Sequence, residues 1–157
     1  MPHHSRRALG AVAALVVLAA TLTACGSDAL QRCVPVAAES AAPGELIGRY
    51  EGAHEAEGVR LTLSSGGVMR AEKWPTGDYH RADLGDTFNG SGTWEIEPAT
   101  ASRDRALLRL HFTKPTLFLK GDTLDKLTIG IDSTRTDLYE DFDPDVCPDF
   151  RLQLRKP

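Results

Sequence analysis

The chain has 157 residues, a formal net charge of −4 and 41% hydrophobic residues. This length is enough for one domain and leaves little room for a second. An acidic chain without a cluster of basic residues repels phosphate backbones, which excludes nucleic acid as an expected partner.

The first predicted element is an export signal over residues 1–24, predicted to form a helix and to be removed. Arg6 and Arg7 supply a positive start, and an apolar run extends from Ala8 to Ala20. A charged start, an apolar centre and small residues before the cleavage point are typical of such signals. Removal of the two arginines lowers the net charge to −6. The arginine pair also partly resembles the twin-arginine signal, so both this route and the general secretory route stay open.

The signal ends in the sequence Leu22-Thr23-Ala24-Cys25. This sequence resembles the lipobox of bacterial lipoproteins, whose cysteine receives a diacylglyceryl group and becomes the first residue after cleavage. The resemblance implies that Cys25 is lipidated, that this lipid is the only bound group, and that the protein is anchored on the extracytoplasmic face of the cell membrane. Two acyl chains attach a protein durably, at about 0.8 kcal/mol per buried methylene. The alternatives are a plain secretory signal, an uncleaved membrane helix and an incidental cysteine.

Residues 25–45 are predicted to be the lipidated N-terminus and a flexible tether, because small residues, proline and glycine are frequent there. With Cys25 used by the lipid, Cys33 and Cys147 remain in a compartment where disulfides persist. We expect them to pair, and two separate thiols are the alternative. A bridge that closes a loop of about 100 residues contributes about 4.7 kcal/mol in the chain-entropy model.

Residues 46–157 are predicted to form an all-β domain. Leu61 and Leu63, for example, alternate with Arg60 and Thr62. This period of two is typical of antiparallel strands that bury one face, and no window sustains a helical period for three turns. The predicted strands lie near residues 46–52, 58–64, 68–74, 91–97, 107–112, 117–119, 127–132, 136–140 and 149–155.

Short turn sequences between these strands favour a single small antiparallel meander barrel, with a β-sandwich as the alternative. Residues 64–67 predict the clearest hairpin, and Asn89-Gly90 predicts a turn before the next strand. The segment 75–89 is the long exception, and long connections often carry function. Four aromatic residues flank or line this segment and form either part of the core or an apolar ligand entrance, namely Trp74, Tyr79, Phe88 and Trp94.

The sequence Gly48-Arg49-Tyr50 resembles the Gly-x-Trp opening of lipocalins and related calycin barrels, with tyrosine in place of tryptophan. The resemblance implies an arginine from the last strand packed over the aromatic ring, and Arg151 and Arg155 are the candidates. Together with the lipobox, a longer pattern is also similar to small actinobacterial lipoproteins of unknown activity. It consists of Gly48-Arg49-Tyr50, Leu61-x-Leu63-x-x-Gly66-Gly67, Gly90-Ser91-Gly92-Thr93-Trp94 and Asp143-Pro144-Asp145.

The acidic stretch before the last strand is the densest polar feature. Asp141, Asp143 and Asp145 have the alternate spacing with which EF-hand calcium loops begin. Val146 stands where the sharp turn of such a loop needs glycine. We therefore interpret the stretch as a solvated connection, with a metal site at these three aspartates as the alternative.

The other reactive residue types indicate no catalytic site. None of His54, His80 and His111 has a second histidine or a cysteine at the spacing of zinc ligands. Ser65 lacks the flanking glycines of a nucleophile turn.

The sequence therefore favours a non-enzymatic, lipid-anchored binding or envelope-interaction module. One alternative is a calycin-like carrier that holds a small apolar ligand inside the barrel, and another is a hydrolase with a site near the 75–89 loop. An apolar internal cavity would favour the carrier, and a filled interior would count against it. The expected partners are the membrane, through the lipid, and either an envelope protein or a small apolar ligand.

Overall fold

The computed structural model describes residues 36–76, 85–116, 123–132, 136–140 and 147–155. One short helix, α1 (Pro43–Leu46), precedes eight strands. The strands are β1 (Gly48–His54), β2 (Arg60–Ser64), β3 (Val68–Pro75), β4 (Thr87–Glu97), β5 (Leu107–Lys114), β6 (Lys126–Ile131), β7 (Thr136–Tyr139) and β8 (Phe150–Arg155). Among the described residues, no helix is long and apolar enough to span a membrane.

The eight strands form a closed barrel in which each strand pairs antiparallel with its neighbours in sequence, and β8 pairs with β1. This confirms the predicted all-β meander barrel and rules out the sandwich alternative. Closure leaves no strand edge unpaired, which removes the usual route to edge-to-edge aggregation. The predicted strand 117–119 lies outside the described residues.

Apolar side chains from all eight strands are buried in the barrel core, as the alternating pattern predicts. Each large apolar side chain that is fully buried contributes about 1.5–3 kcal/mol relative to an exposed one. The buried strand residues are Tyr50, Leu61, Leu63, Met69, Ala71, Trp74, Phe88, Trp94, Leu108, Leu110, Leu127, Ile129, Leu138 and Leu152.

The two ends of the barrel differ. At one end, where β3 ends and β4 begins, Trp74 lies 5.5 Å from Phe150 and 6.0 Å from Phe112 between ring centroids. Phe88 lies 5.2 Å from Phe112 in an edge-to-face arrangement. We call this the aromatic end. The opposite end is where β2 turns into β3, and we call it the groove end.

The start of β4 corrects one prediction. Asn89-Gly90 lies inside β4 and not in a turn, because the strand begins at Thr87. The pairing of β3 with β4 is irregular between Ala71 and Trp74. Within this irregularity Lys73 has a left-handed backbone (φ 51°), and its N–H donates to Oδ1 of Asn89 at 2.9 Å. The asparagine therefore supplies an acceptor that the β-ladder does not.

The N-terminal segment joins the barrel earlier than the predicted tether implies. Ala37 forms a bridge with Gly130 of β6. The N–H of Ala38 donates to the carbonyl of Ile129 at 2.8 Å, and its carbonyl accepts from Ala106 at 2.7 Å. From Ala37 onward the chain is part of the folded domain, so a flexible tether would end before this residue.

Candidate functional site

A half-open groove of about 660 Å³ lies at the groove end of the barrel. Its walls come from the N-terminal segment around α1, the turn between β2 and β3, and the last residues of β4. The volume falls within the range of about 300–1,000 Å³ that is typical of small-molecule sites. The apolar residues that line it are Ala41, Pro43, Ile47, Trp94, Ile96 and Pro98.

The helix α1 lies across the groove end, where one hydrogen bond closes its own first turn and a second one joins it to β1. The backbone N–H of Ala42 donates to the Glu45 carboxylate at 2.6 Å, which satisfies a donor at the helix start. The hydroxyl of Tyr50 donates to the carbonyl of Leu46 at 2.8 Å. Leu46 is fully buried, whereas the next residue, Ile47, keeps 42% of its surface exposed beside the groove. An isoleucine left open in this position offers apolar contact to a ligand.

Trp94 provides an immobile part of the groove wall. Its indole is only 6% exposed, and its Nε1 donates to the carbonyl of Ser64 at 3.1 Å. The adjacent turn contains Gly66 and Gly67, both with positive φ (77° and 72°). A Cβ at Gly67 would lie 3.2 Å from the Trp94 carbonyl oxygen. Two glycines therefore let the turn approach β4 closely while it adopts a left-handed backbone.

The polar groups at the groove are few. Ser40 and Ser65 are exposed residues of the lining. Glu95 is the only charged residue of the described lining. Its carboxylate lies 2.9 Å from Nε2 of His111 on β5, a diagonal contact because Arg109 is the residue paired with Glu95. The groove thus combines an apolar body with a hydroxyl-bearing and acidic rim.

Besides the Glu95–His111 contact, a cluster of charged residues links β4 to β5 next to the groove. Arg109 binds Glu97 through Nη2 at 2.8 Å and Asp125 through Nη1 at 3.5 Å. Desolvation favours a higher pKa for the Glu97 carboxyl, but the hydrogen bond and charge of Arg109, assisted by Arg103 and Lys126, outweigh it and lower the pKa. None of these residues lines the groove. We therefore interpret the cluster as one that stabilises the barrel wall.

The four aromatic residues predicted as a ligand entrance do not form one site. Trp74 and Phe88 belong to the aromatic end, where Trp74 is fully buried and its Nε1 donates to the Leu124 carbonyl at 3.0 Å. Trp94 lies at the opposite end and lines the groove. Tyr79 lies outside the described residues. Only Trp94 is therefore both a predicted entrance residue and a groove residue.

The arginine expected over Tyr50 is absent from that place in the described structure. Tyr50 pairs with Leu154, so residues 151 and 155 of β8 point to the outer face of the barrel. There Arg155 binds Glu51 at 2.8 Å and Arg151 binds the fully buried Asp137 at 2.9 Å. The calycin arrangement of arginine over the first-strand aromatic is thus not made by Arg151 or Arg155.

Several predicted site residues lie outside the described residues, namely Cys25, Cys33, Asp141, Asp143 and Asp145. Cys147 is described and lies on the exposed stretch that leads into β8. In the parts of the chain that the structure describes, no group of three or more histidine, cysteine, aspartate or glutamate residues is placed to hold a metal ion.

Comparisons with known proteins return no match to a protein-family model, to a curated protein or to a solved structure.

Proposed function

We propose that the chain is a lipid-anchored, extracytoplasmic binding domain whose ligand site is the apolar groove at the groove end. The observation that carries the proposal is the groove itself, a half-open space of about 660 Å³ with an exposed isoleucine and a fixed indole in its walls. We propose no catalytic step for it. The segment near which a hydrolase site was expected falls largely outside the described residues, so no geometry supports that alternative.

The position of the groove changes the form of the carrier alternative. Buried side chains from every strand line the interior of the described barrel. The groove lies beyond this core, and Trp94 separates the two. We therefore place the apolar part of a ligand against Ile47, Trp94 and Ile96, outside the barrel interior.

The predicted anchor would keep the groove close to the membrane. Cys25 precedes Val36, the first described residue, by eleven positions. A fully extended chain covers at most about 3.3–3.6 Å per residue, so the lipidated end lies within about 40 Å of the domain. Ala37 attaches near the end of β6 that belongs to the groove end. The tether thus leaves the domain from the same end that carries the groove, and this supports a ligand drawn from the membrane.

We also propose that Cys33 and Cys147 form a disulfide. In support, the chain has only three cysteines, and Cys147 lies on an exposed stretch that a second cysteine can reach. If Cys25 carries the lipid, Cys33 is the remaining partner. Intact-mass measurement before and after reduction, with peptide mapping, tests the pairing, and a Cys25–Cys147 bridge would contradict both this proposal and lipidation.

The anchor is tested by the mass of the protein purified from its own membrane. We expect a chain that begins at Cys25 and carries the mass of a diacylglyceryl group. A Cys25→Ser variant should be released into the medium or remain unprocessed. An unmodified Cys25 on a membrane-free protein would refute the anchor and leave the groove proposal to its own test.

Groove binding is tested by photolabelling of the full chain in phosphatidylcholine nanodiscs. The probe is an alkyl glyceryl ether with a diazirine in its chain, and mass spectrometry locates the label. We expect label on peptides that contain Ile47 or residues 94–98. Ile47→Asp should reduce this labelling about tenfold, because it places a charge in the apolar wall.

The matched control for this experiment is Val68→Asp. Val68 is also an exposed apolar residue, at 54% of its surface, and it is not part of the groove lining. Its replacement should leave labelling of the groove peptides unchanged. Equal labelling of both variants, or label spread evenly over the barrel surface, would overturn the proposed site.

A further inference from the structure

We propose that the groove selects uncharged amphiphiles and rejects anionic ones. This inference depends on the groove binding proposed above and adds the class of ligand. An amphiphile places its apolar chain along the groove and its head at the rim. The charge of the rim therefore decides which heads are accepted.

The rim is acidic in the described structure. Glu95 is the only charged residue of the lining, and its side chain is 61% exposed. An anionic head at this rim would meet the like charge of Glu95, which raises its free energy relative to an uncharged head.

The positive groups near the rim are already engaged. Arg103 contacts the groove residue Pro98 by donating from Nη2 to its carbonyl at 2.8 Å. The same guanidinium binds Glu97 through Nη1 at 3.4 Å and donates from Nε to the Arg105 carbonyl at 3.1 Å. His111 faces Glu95 at 2.9 Å on the outer face of β5. No other basic side chain lines the described groove, so an anionic head has no counter-charge there.

The rim also offers groups that suit an uncharged polar head. Ser40 and Ser65 line the groove from two different segments, one from the N-terminal segment and one from the turn between β2 and β3. A serine hydroxyl both donates and accepts hydrogen bonds, so it matches the hydroxyl groups of a glyceryl or sugar head. The ligand class that fits is therefore a single-chain lipid with a hydroxylated, uncharged head.

The test compares two photoprobes with the same diazirine chain, an alkyl glyceryl ether and an alkanesulfonate. The sulfonate keeps its negative charge at every usable pH. Both are added to nanodiscs of the full chain at the same low mole fraction, at pH 8, above the range in which imidazoles normally become charged. We expect the glyceryl ether to label the groove peptides at least about fivefold more than the sulfonate.

Two variants assign the effect to the rim. Glu95→Gln should raise sulfonate labelling toward that of the glyceryl ether. Glu72→Gln removes one exposed acid from the barrel without touching the groove, and it should keep the fivefold preference.

Equal labelling of the wild-type groove by both probes, or an unchanged preference in Glu95→Gln, overturns the selectivity and leaves groove binding intact. Absence of groove labelling by either probe overturns the proposed binding site itself.

Discussion

The hydroxyl of Tyr50 donates a hydrogen bond to the backbone carbonyl of Leu46 at 2.8 Å, at the groove end of the barrel. Both residues are fully buried. The bond joins the first strand to the last residue of α1, which forms one side of the groove. A single buried contact thus connects the packing of the barrel to the shape of the candidate site.

Replacement of Tyr50 by phenylalanine should lower the free energy of unfolding by about 1–2 kcal/mol, because it leaves the Leu46 carbonyl without its donor in a buried place. Urea unfolding of the full chain, followed by tryptophan fluorescence, measures the change. Thr113→Val is the control, since Thr113 donates to the Ser91 carbonyl at an exposed position and its loss should cost less than about 0.5 kcal/mol. If the two substitutions lowered the free energy of unfolding equally, the buried hydrogen bond of Tyr50 would contribute no more to stability than the exposed one of Thr113.

The same tyrosine predicts a loss of stability at alkaline pH. Burial, together with the negative charge of Asp137, raises the pKa of the Tyr50 hydroxyl above its ordinary value near 10. Above pH 10 the unfolded chain releases this proton and the folded chain keeps it, so unfolding becomes easier by up to about 1.4 kcal/mol per pH unit. Between pH 9.5 and 11, wild-type protein should therefore lose more stability than Tyr50→Phe. Parallel pH curves for the two proteins would contradict this.

The repeating part of the fold was predictable because alternation is a local signal. Leu61 and Leu63 point inward as their spacing predicts, and the closed meander follows from short hairpins. The start of β4 was not predictable in this way. Asn89-Gly90 has the composition of a turn, but Asn89 binds the backbone of Lys73, sixteen residues away. Only the partner strand shows that the asparagine belongs to a ladder irregularity.

This irregularity gives a third prediction. Asn89→Ala should lower the free energy of unfolding by about 1 kcal/mol, because the Lys73 N–H loses its acceptor. Asn89→Asp keeps an acceptor oxygen and should cost less. Lys73→Gly should raise stability by up to about 1 kcal/mol, since a non-glycine residue is strained at φ 51°. Urea unfolding of the three variants tests these signs, and a destabilised Lys73→Gly would show that the lysine side chain matters more than its backbone.

The candidate site was less predictable than the fold. Among the aromatic candidates that the structure describes, only Trp94 lines the groove, and the sequence does not mark Ile47 or Ile96 as site residues. Their spacing along the chain is unremarkable, because Ile47 follows a helix of one turn and Ile96 continues a strand. They meet only after α1 folds back across the barrel end. That contact depends on the hydrogen bond between Tyr50 and Leu46, and no local sequence pattern predicts it.

The Glu97–Arg109 pair predicts a loss of stability in acid. Glu97 has a lowered pKa, so it contributes stability above the ordinary glutamate pKa near 4.3, and this contribution is lost as the pH falls through the lowered value. Glu97→Gln should cost about 1 kcal/mol at pH 7, and the difference from wild type should shrink toward pH 3. Urea unfolding at both pH values measures it.

Glu72→Gln serves as the comparison for this pair. Glu72 binds Arg60 at 2.6 Å, but both side chains are nearly half exposed. Exposed ion pairs contribute about 0–1 kcal/mol, so its removal should change little at either pH. If Glu72→Gln lowered the free energy of unfolding as much as Glu97→Gln does, the partial burial of Arg109 would add nothing to the strength of its ion pair with Glu97.

The turn between β1 and β2 predicts a sharp difference between two glycine substitutions. The N–H of Gly52 donates to Val59, whose own N–H donates to Ala56, so the turn folds back over Gly52. A Cβ at Gly52 would lie 1.7 Å from the Ala56 carbonyl oxygen, a backbone atom that cannot move alone. Gly52→Ala should therefore cost more than about 3 kcal/mol. Gly44→Ala should be neutral or slightly stabilising, because nothing lies within 4 Å of its Cβ and alanine favours the helix. Urea unfolding of both variants decides the point, and a mild Gly52→Ala would mean that the turn opens without disturbing the barrel.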